Sequence, residues 1–317
     1  MYSENITTSV TDFLLLGFKN LHTFQILIFI LFFVIYIFTL SGNLLIILLV
    51  LSNAHLQTPM YFLLSNLSLS EVVFTTNIVP NMLQNLLSQD GSISFSRCLT
   101  QYYVFSSTAT TECLLLAIMS YDRYLAICSP LHYASLINFQ VCSQYAAWAW
   151  LAGFTISAIT LILLCESDFC GPNMIDNFFC DLTPLIELSC SDTFIIELES
   201  FLFATLVTLL PFVFIIVTYI FILYNIMKIP STTGRKKAFS TCSSHLAVVS
   251  TYYGALITMY VAPSRQQIFN FSKALSLLYT VVTPLLNPIV YSLRNQEIHN
   301  ALTLVLKKIK HVAKTLV

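Results

Sequence analysis

Glu71, Glu112 and the adjacent pair Asp122 and Arg123 stand in stretches otherwise nearly free of charge. No Asp, Glu, Lys or Arg occurs between Lys19 and Glu71, and between Arg97 and Asp122 only Glu112 interrupts. Glu112 precedes Arg123 by 11 residues, about 16 Å of helix, and Glu71 lies 12 residues after Pro59. The two carboxyls therefore fall at a similar depth, alongside Asn43 and Asn287. If both were ionised they would repel, so a proton on one of them or a cation between them is required. The chemistry on offer is the holding of charge and protons. The six histidines, at 22, 55, 132, 245, 299 and 311, form no i, i+4 pair. No nucleophile–base or metal constellation accompanies them, so an enzyme is not expected, nor any cofactor or metal.

The elements that carry these groups follow from composition. Of 317 residues 57% are hydrophobic and 9% charged, against roughly 25% charged in a soluble domain. A spanning helix needs about 20 mostly apolar residues. The uncharged runs predict seven spans, at about 24–51, 59–87, 98–127, 142–164, 200–228, 238–262 and 273–293. Residues 1–23 are then an extracellular N-terminus, 24–293 an all-α seven-helix bundle, and 294–317 a cytoplasmic tail. Basic residues divide ten to four in favour of the cytoplasmic side when the N-terminus is placed outside, and the C-terminus then lies inside. Eight of the 15 acids fall between Glu166 and Glu199, in a long extracellular loop. In the tail, Ile298, Leu302, Val305, Ile309, Val312 and Leu316 alternate at four and three, with Lys307, Lys308, Lys310 and Lys314 between them. That pattern predicts a short amphipathic helix on an anionic inner leaflet.

Cys98, Cys170, Cys180 and Cys190 all fall on the oxidising side, where pairing is expected. Four cysteines allow three connectivities. "NIT" at Asn5 is a glycosylation sequon in the extracellular segment. On the third span, Tyr102, Phe105, Ser106, Ala109 and Thr110 recur at helical spacing on one face. Cys98 lies one turn above Tyr102 on that side, so the face points into the bundle. Tyr253, Leu256, Ile257 and Tyr260 form a similar stripe on the sixth span, and Ser276 and Thr280 on the seventh. These faces carry no charge, so a small, neutral, mostly apolar ligand with one or two hydrogen-bonding groups fits best. Pro211, Pro284 and Pro288 predict kinks and hinges in the fifth and seventh spans.

"GN" at Gly42 and Asn43, "TPMYFLLSNLSLSE" from Thr58, "SYDRYLAICSPLHY" from Ser120, "KAFSTCSSHL" from Lys237 and "PLLNPIVYSLRN" from Pro284 follow one another in order. Together they resemble the olfactory receptors, a family of rhodopsin-like G-protein-coupled receptors, and "FCGPNMIDNFFCD" resembles its tetrapod-type branch. The resemblance runs from about Phe13 to Lys308. It implies that Cys98 pairs with Cys180 and Cys170 with Cys190, and that the three stripes line an odorant pocket with Tyr253 and Tyr260 among the contacts. It also implies that Asp122, Arg123, Tyr124, Lys237, Asn287, Pro288 and Tyr291 serve G-protein coupling and switching. Glu71, Glu112 and Asn287 match a sodium-linked or proton-linked polar pocket.

The resemblance further implies a multi-pass plasma-membrane protein, in sensory cilia if olfactory. Its partners would be a small odorant, an olfactory-type stimulatory G protein that raises cyclic AMP, and membrane lipid, with no nucleic acid. The alternatives are a receptor of the same fold that serves a small metabolite outside the nose, a transporter or a channel. A transporter would favour internal repeats and a channel a polar pore stripe; the sequence has neither pattern.

Overall fold

The computed structural model describes residues 11–18, 23–88, 90–170, 172–228, 230–261, 272–294 and 297–303. Of residues 236–238, 240–241, 244, 260–261, 272 and 291–296, side chains are left aside. Long helices dominate. The first three spans are α1, Gln25–Ser52, α2, Pro59–Ser88, and α3, Phe95–Cys128. A short cytoplasmic helix α4, Pro130–Leu136, leads into the fourth span, α5, Phe139–Cys165. A loop helix α6, Leu182–Glu187, precedes the fifth span, which is built from α7, Phe194–Ala204, and α8, Leu210–Met227. The sixth contains α9, Thr232–Leu256, and the seventh contains α10, Ser272–Leu277, and α11, Thr283–Arg294.

Six segments among the described residues are long and apolar enough to cross a membrane. The one that falls short is α9. Its inner half reads "TTGRKKAFSTCSSH", so apolar sequence begins only near Leu246. The inner part of this helix is too polar by composition for hydrocarbon.

Prolines set the local irregularities. Pro211 and Pro284 have no N–H to give the carbonyls four residues earlier, Val207 and Thr280. Each of those carbonyls lies in a π-helical turn, Thr205–Leu209 and Leu278–Val282, where the ladder is widened. The Thr283 hydroxyl donates to the Leu278 carbonyl at 3.1 Å, which also accepts the Thr283 N–H across the wide turn. A third π turn, Ile257–Val261, extends α9. The fifth helix begins at Phe194, before the expected position near 200, and passes through two acids. Thr193 and Thr160 hydroxyls donate to Glu197 and Glu199 at 3.1 and 2.9 Å, so neither carboxylate breaks the helix.

Packing runs from the centre outward. Helix α3 is buried on most of its circumference and contacts α2, α5 and α8. Helix α1 turns one stripe inward, Phe32, Thr39, Asn43, Ile46 and Val50, and leaves the rest to lipid. Two close approaches rest on glycine. A Cβ at Gly42 would lie 2.8 Å from the Pro288 Cβ, which accounts for the small residue in "GN". A Cβ at Gly153 would lie 2.5 Å from the Ser107 carbonyl and from the Thr111 hydroxyl. Gly153 continues a stripe of small residues, Ala146, Ala149 and Ser157, that lets α5 lie against α3.

A small sheet closes the extracellular end. Strand β1, Asp12–Leu15, lies between β2, Ser92–Ser94, and β3, Met174–Ile175. Phe13 pairs with Ile93 antiparallel, and Leu14 with Met174 parallel. Phe13 and Leu15 face inward and are almost wholly buried, with the Phe13 ring edge-on to Phe169 at 5.7 Å. The short apolar run "FLLL" was the available signal for this strand. The amphipathic tail helix is described only through 303, where Ile298 and Ala301 are buried, and its lysines fall outside the described residues.

Substituting Val at Gly153 is expected to cost about 1–3 kcal/mol. A lowered thermal midpoint of the purified protein, with Gly254→Ala as the neutral comparison, would check it, because a Cβ at Gly254 meets nothing within 4 Å among the described residues.

Candidate functional site

Three polar constellations lie along the bundle axis. The outermost is a cavity of about 710 Å³ beneath the acidic loop. Tyr102, Phe105, Ser106, Ala109, Thr110 and Leu256 line it, as their helical spacing predicted. Ser106 accepts a hydrogen bond from Ser157 at 3.0 Å, which fixes one hydroxyl of the wall. The disulfide between Cys98 and Cys180, with Cα atoms 5.5 Å apart, draws the loop over the cavity. There the Phe179 ring meets Phe105 edge-on at 5.1 Å. A second disulfide joins Cys170 to Cys190 within the loop.

Four of the stripe residues do not line this cavity. Tyr253 is fully buried below it, and its hydroxyl donates to the Cys113 carbonyl at 2.8 Å. Ile257 packs among the core residues instead. Ser276 and Thr280 are buried in the seventh span, where the Thr280 hydroxyl donates to the Ser276 carbonyl at 2.6 Å. The Tyr260 side chain and Asn5 lie outside the described residues.

The expected absence of charge also needs correction, because Asp176, Asp181, Glu187 and Glu197 contribute to the lining. All four come from the loop or the start of the fifth helix. Asp176 is paired with Lys273 at 2.6 Å, and Asp181 caps α6 by accepting from the Leu182 N–H. The helical floor, with Phe105, Ala109, Thr110, Val207, Leu256 and Met259, remains uncharged. Periodicity did not identify Thr160, Val207, Thr208 or Met259. The loop residues had no periodic signal to find.

The second constellation joins the mid-membrane polar residues. Asn287 Nδ2 donates to Glu71 Oε1, and Asn43 Nδ2 donates to the Thr39 carbonyl at 3.0 Å and the Pro284 carbonyl at 3.3 Å. The hydroxyls of Tyr252 and Ser70 lie against Glu112. Glu71 Oε2, Glu112 Oε1, Asn43 Oδ1 and Asn287 Oδ1 are buried without a partner among the described residues. Oxygen acceptors in excess of donors fit a protonated carboxyl or a hard cation bound through oxygen.

The third constellation is the cytoplasmic ion pair. Arg123 Nε and Nη2 donate to Asp122 Oδ2 at 2.9 and 2.5 Å, and the Tyr133 hydroxyl donates to Asp122 Oδ1 at 2.7 Å. Asp122 is 1% exposed and Arg123 21%. Both carboxylate oxygens are engaged, which makes burial of the charge tolerable. Partial burial raises the Tyr133 phenol above its ordinary range, and the neighbouring Asp122 adds to the effect. The sequence did not reveal Tyr133 as a partner. Nearby, the Tyr219 hydroxyl meets His245 Nδ1 at 2.8 Å. Tyr124 packs edge-on against Phe221, and Pro288 against Gly42. The side chains of Lys237 and Tyr291 lie outside the described residues.

A family model described as olfactory receptor matches residues 32–309. Human olfactory receptor 11L1 is 47% identical over 302 residues, covering 95% of this chain and 94% of its own. Human olfactory receptors 11A1 and 6C3 are each 44% identical, covering 94% and 95% of this chain and 94% and 97% of theirs.

The chain belongs to the olfactory receptor family.

It is therefore a multi-pass plasma-membrane receptor of the G-protein-coupled class, not an enzyme, and its general partners are an odorant and a G protein. In this olfactory receptor Ala109 forms part of the cavity floor. Ala109→Phe is expected to raise the half-maximal odorant concentration by about tenfold or more, equivalent to about 1.4 kcal/mol. Ser276→Ala should leave it nearly unchanged. Dose–response curves at matched surface expression make the comparison.

Proposed function

We propose that this receptor binds a small, neutral, mostly apolar volatile molecule in the outer cavity, and that occupancy activates an olfactory-type stimulatory G protein to raise cyclic AMP. The observation that carries the reading is the uncharged cavity floor and what holds it from below. Ala109 and Cys113 line the floor, and their carbonyls accept the Tyr252 and Tyr253 hydroxyls at 2.9 and 2.8 Å. A ligand pressing on this part of α3 bears directly on the two hydrogen bonds that fasten α9. Phe105, Leu256 and Met259 supply apolar contact, and Ser106, Thr110 and Thr208 supply hydroxyls. Few ligand atoms are available, so half-maximal responses fall at micromolar concentrations or above.

In the same reading, Asp122 and Tyr133 hold Arg123 at rest, and movement of α9 releases it to the G protein. Tyr124, Lys237, Asn287, Pro288 and Tyr291 complete the switch. Glu71, Glu112 and Asn287, with their unpartnered oxygens, hold sodium or a proton beneath the cavity. Asn5 is the glycosylation site of the extracellular segment. Tyr260 joins the ligand contacts at the outer end of the sixth span.

A cyclic-AMP reporter in cells that carry the olfactory stimulatory G protein, challenged with a panel of neutral odorants, tests the reading. No response from a well-expressed receptor to any neutral odorant, with activation by a permanently charged ligand at nanomolar levels, would refute it. Tyr133→Phe removes one hydrogen bond to a buried carboxylate, about 1.5–3 kcal/mol of resting-state restraint at most. Raised cyclic AMP without ligand is the expected outcome. Glu71→Gln with Glu112→Gln should abolish any sodium dependence of the basal signal, and an unchanged dependence would remove these acids from the role.

A further inference from the structure

Behind the wall of the odorant cavity stands a carboxylate that is not itself part of the lining. Glu199, on α7, accepts the Thr160 hydroxyl at 2.9 Å on one oxygen and 3.2 Å on the other, and the Ser200 hydroxyl at 3.2 Å. Thr160, on α5, and Ser200 both line the cavity. A threonine hydroxyl has one proton to donate and two lone pairs. The Thr160 proton is committed to Glu199, so toward the cavity this hydroxyl offers lone pairs alone.

The same polarity continues along the wall. The Tyr102 hydroxyl lies against both Thr160 and Ser106, and Ser106 accepts from Ser157 at 3.0 Å. One ordering of protons serves every contact: Ser157 donates to Ser106, Ser106 to Tyr102, Tyr102 to Thr160 and Thr160 to Glu199. The carboxylate fixes the direction, because when ionised it accepts and never donates. Each hydroxyl uses its proton within the wall and keeps a lone pair. Hydroxyls aligned toward a charge polarise one another, which strengthens those lone pairs as acceptors.

The electrostatic field has the matching sign. Asp181 and Glu199 both act on the Tyr102 hydroxyl. Glu187 and Glu197 stand elsewhere in the lining, and no Lys or Arg lines the cavity among the described residues. A ligand that brings a polar hydrogen to this wall is attracted. A carbonyl or ether oxygen brings lone pairs against lone pairs and is buried there without a donor. Thr110 and Thr208, which line the same cavity, can donate or accept and so do not discriminate. Among neutral volatile molecules the strong donor is the hydroxyl group. On the reading of this cavity as the odorant site, we propose that the ligand is an alcohol or phenol whose O–H donates a hydrogen bond to the Tyr102 or Thr160 oxygen. Glu199 is the positioning residue that sets the polarity of the wall.

The experiment uses the full receptor and the cyclic-AMP reporter. Each neutral agonist is compared with its alcohol, carbonyl and methyl ether counterparts on one carbon skeleton, as in menthol, menthone and menthyl methyl ether. The alcohol or phenol is expected to reach half-maximal response at a concentration about tenfold below its partners. Glu199→Gln keeps the shape, but its amide donates to Thr160 and frees the Thr160 proton for the cavity, so the advantage of the alcohol should shrink severalfold as the carbonyl compound gains. Thr160→Val, close in volume, removes the acceptor and should weaken the alcohol about tenfold while leaving the ether nearly unchanged. Surface expression of each variant is measured, and if Glu199→Gln fails to reach the surface, Thr160→Val decides. Neutral agonists whose alcohols hold no advantage over carbonyl and ether partners overturn the donor assignment and leave the odorant site standing. An advantage that persists unchanged in the variants that reach the surface also overturns it, because the preference then arises elsewhere in the cavity. Silence toward every neutral odorant from a well-expressed receptor removes the odorant reading itself, and this proposal with it.

Discussion

Hydrocarbon accepts no hydrogen bonds, and every polar group in the bundle must find its partner in protein. This constraint gathers the polar side chains around α3, the one helix surrounded by others along most of its length. Thr108, Thr111 and Ser120 return their hydroxyls to the α3 backbone, and Tyr252 and Tyr253 bond its carbonyls from the sixth span. The helix thereby becomes a single polar axis that connects the cavity floor, the mid-membrane carboxyls and the cytoplasmic ion pair. Groups left over on that axis, such as Glu71 Oε2 and Glu112 Oε1, carry the greatest energetic consequence, because nothing else in the membrane can satisfy them.

The same constraint explains where the backbone departs from ideal geometry. A proline inside a spanning helix frees a carbonyl that water cannot reach, and the π turns before Pro211 and Pro284 redistribute that deficit over a full turn. These are the segments with the weakest ladders in the fifth and seventh spans, and they lie at the level of the cavity and just below it. Pro288 contributes differently, because its ring fills the space that Gly42 leaves open.

Much of this was legible in the sequence. Span number followed from bilayer thickness, and the α3 face followed from helical period, since Tyr102 through Thr110 could point only one way once Cys98 was tied outward. The sixth and seventh stripes were less legible. Tyr253 shares a face with Leu256 by spacing, but its hydroxyl reaches the Cys113 carbonyl, and that choice depends on how closely α9 approaches α3. The acids at the cavity mouth and Tyr133 escaped for a related reason. They sit on loops or a short helix, where three-dimensional proximity leaves no period in the chain. Strand β1 was readable only in hindsight, because the continuous apolar run from Phe13 to Leu16 shows no alternation and its partners lie far away in sequence.

That distance has a consequence for how the receptor is made. Strand β1 leaves the ribosome first, yet Leu14 pairs with Met174, which emerges only after the fourth span. The disulfide from Cys98 must wait still longer, for Cys180. Until then β1 has only β2 to pair with, and the cap over Phe13 and Leu15 is incomplete. Closure of the cap therefore joins segments that four membrane spans separate in the chain.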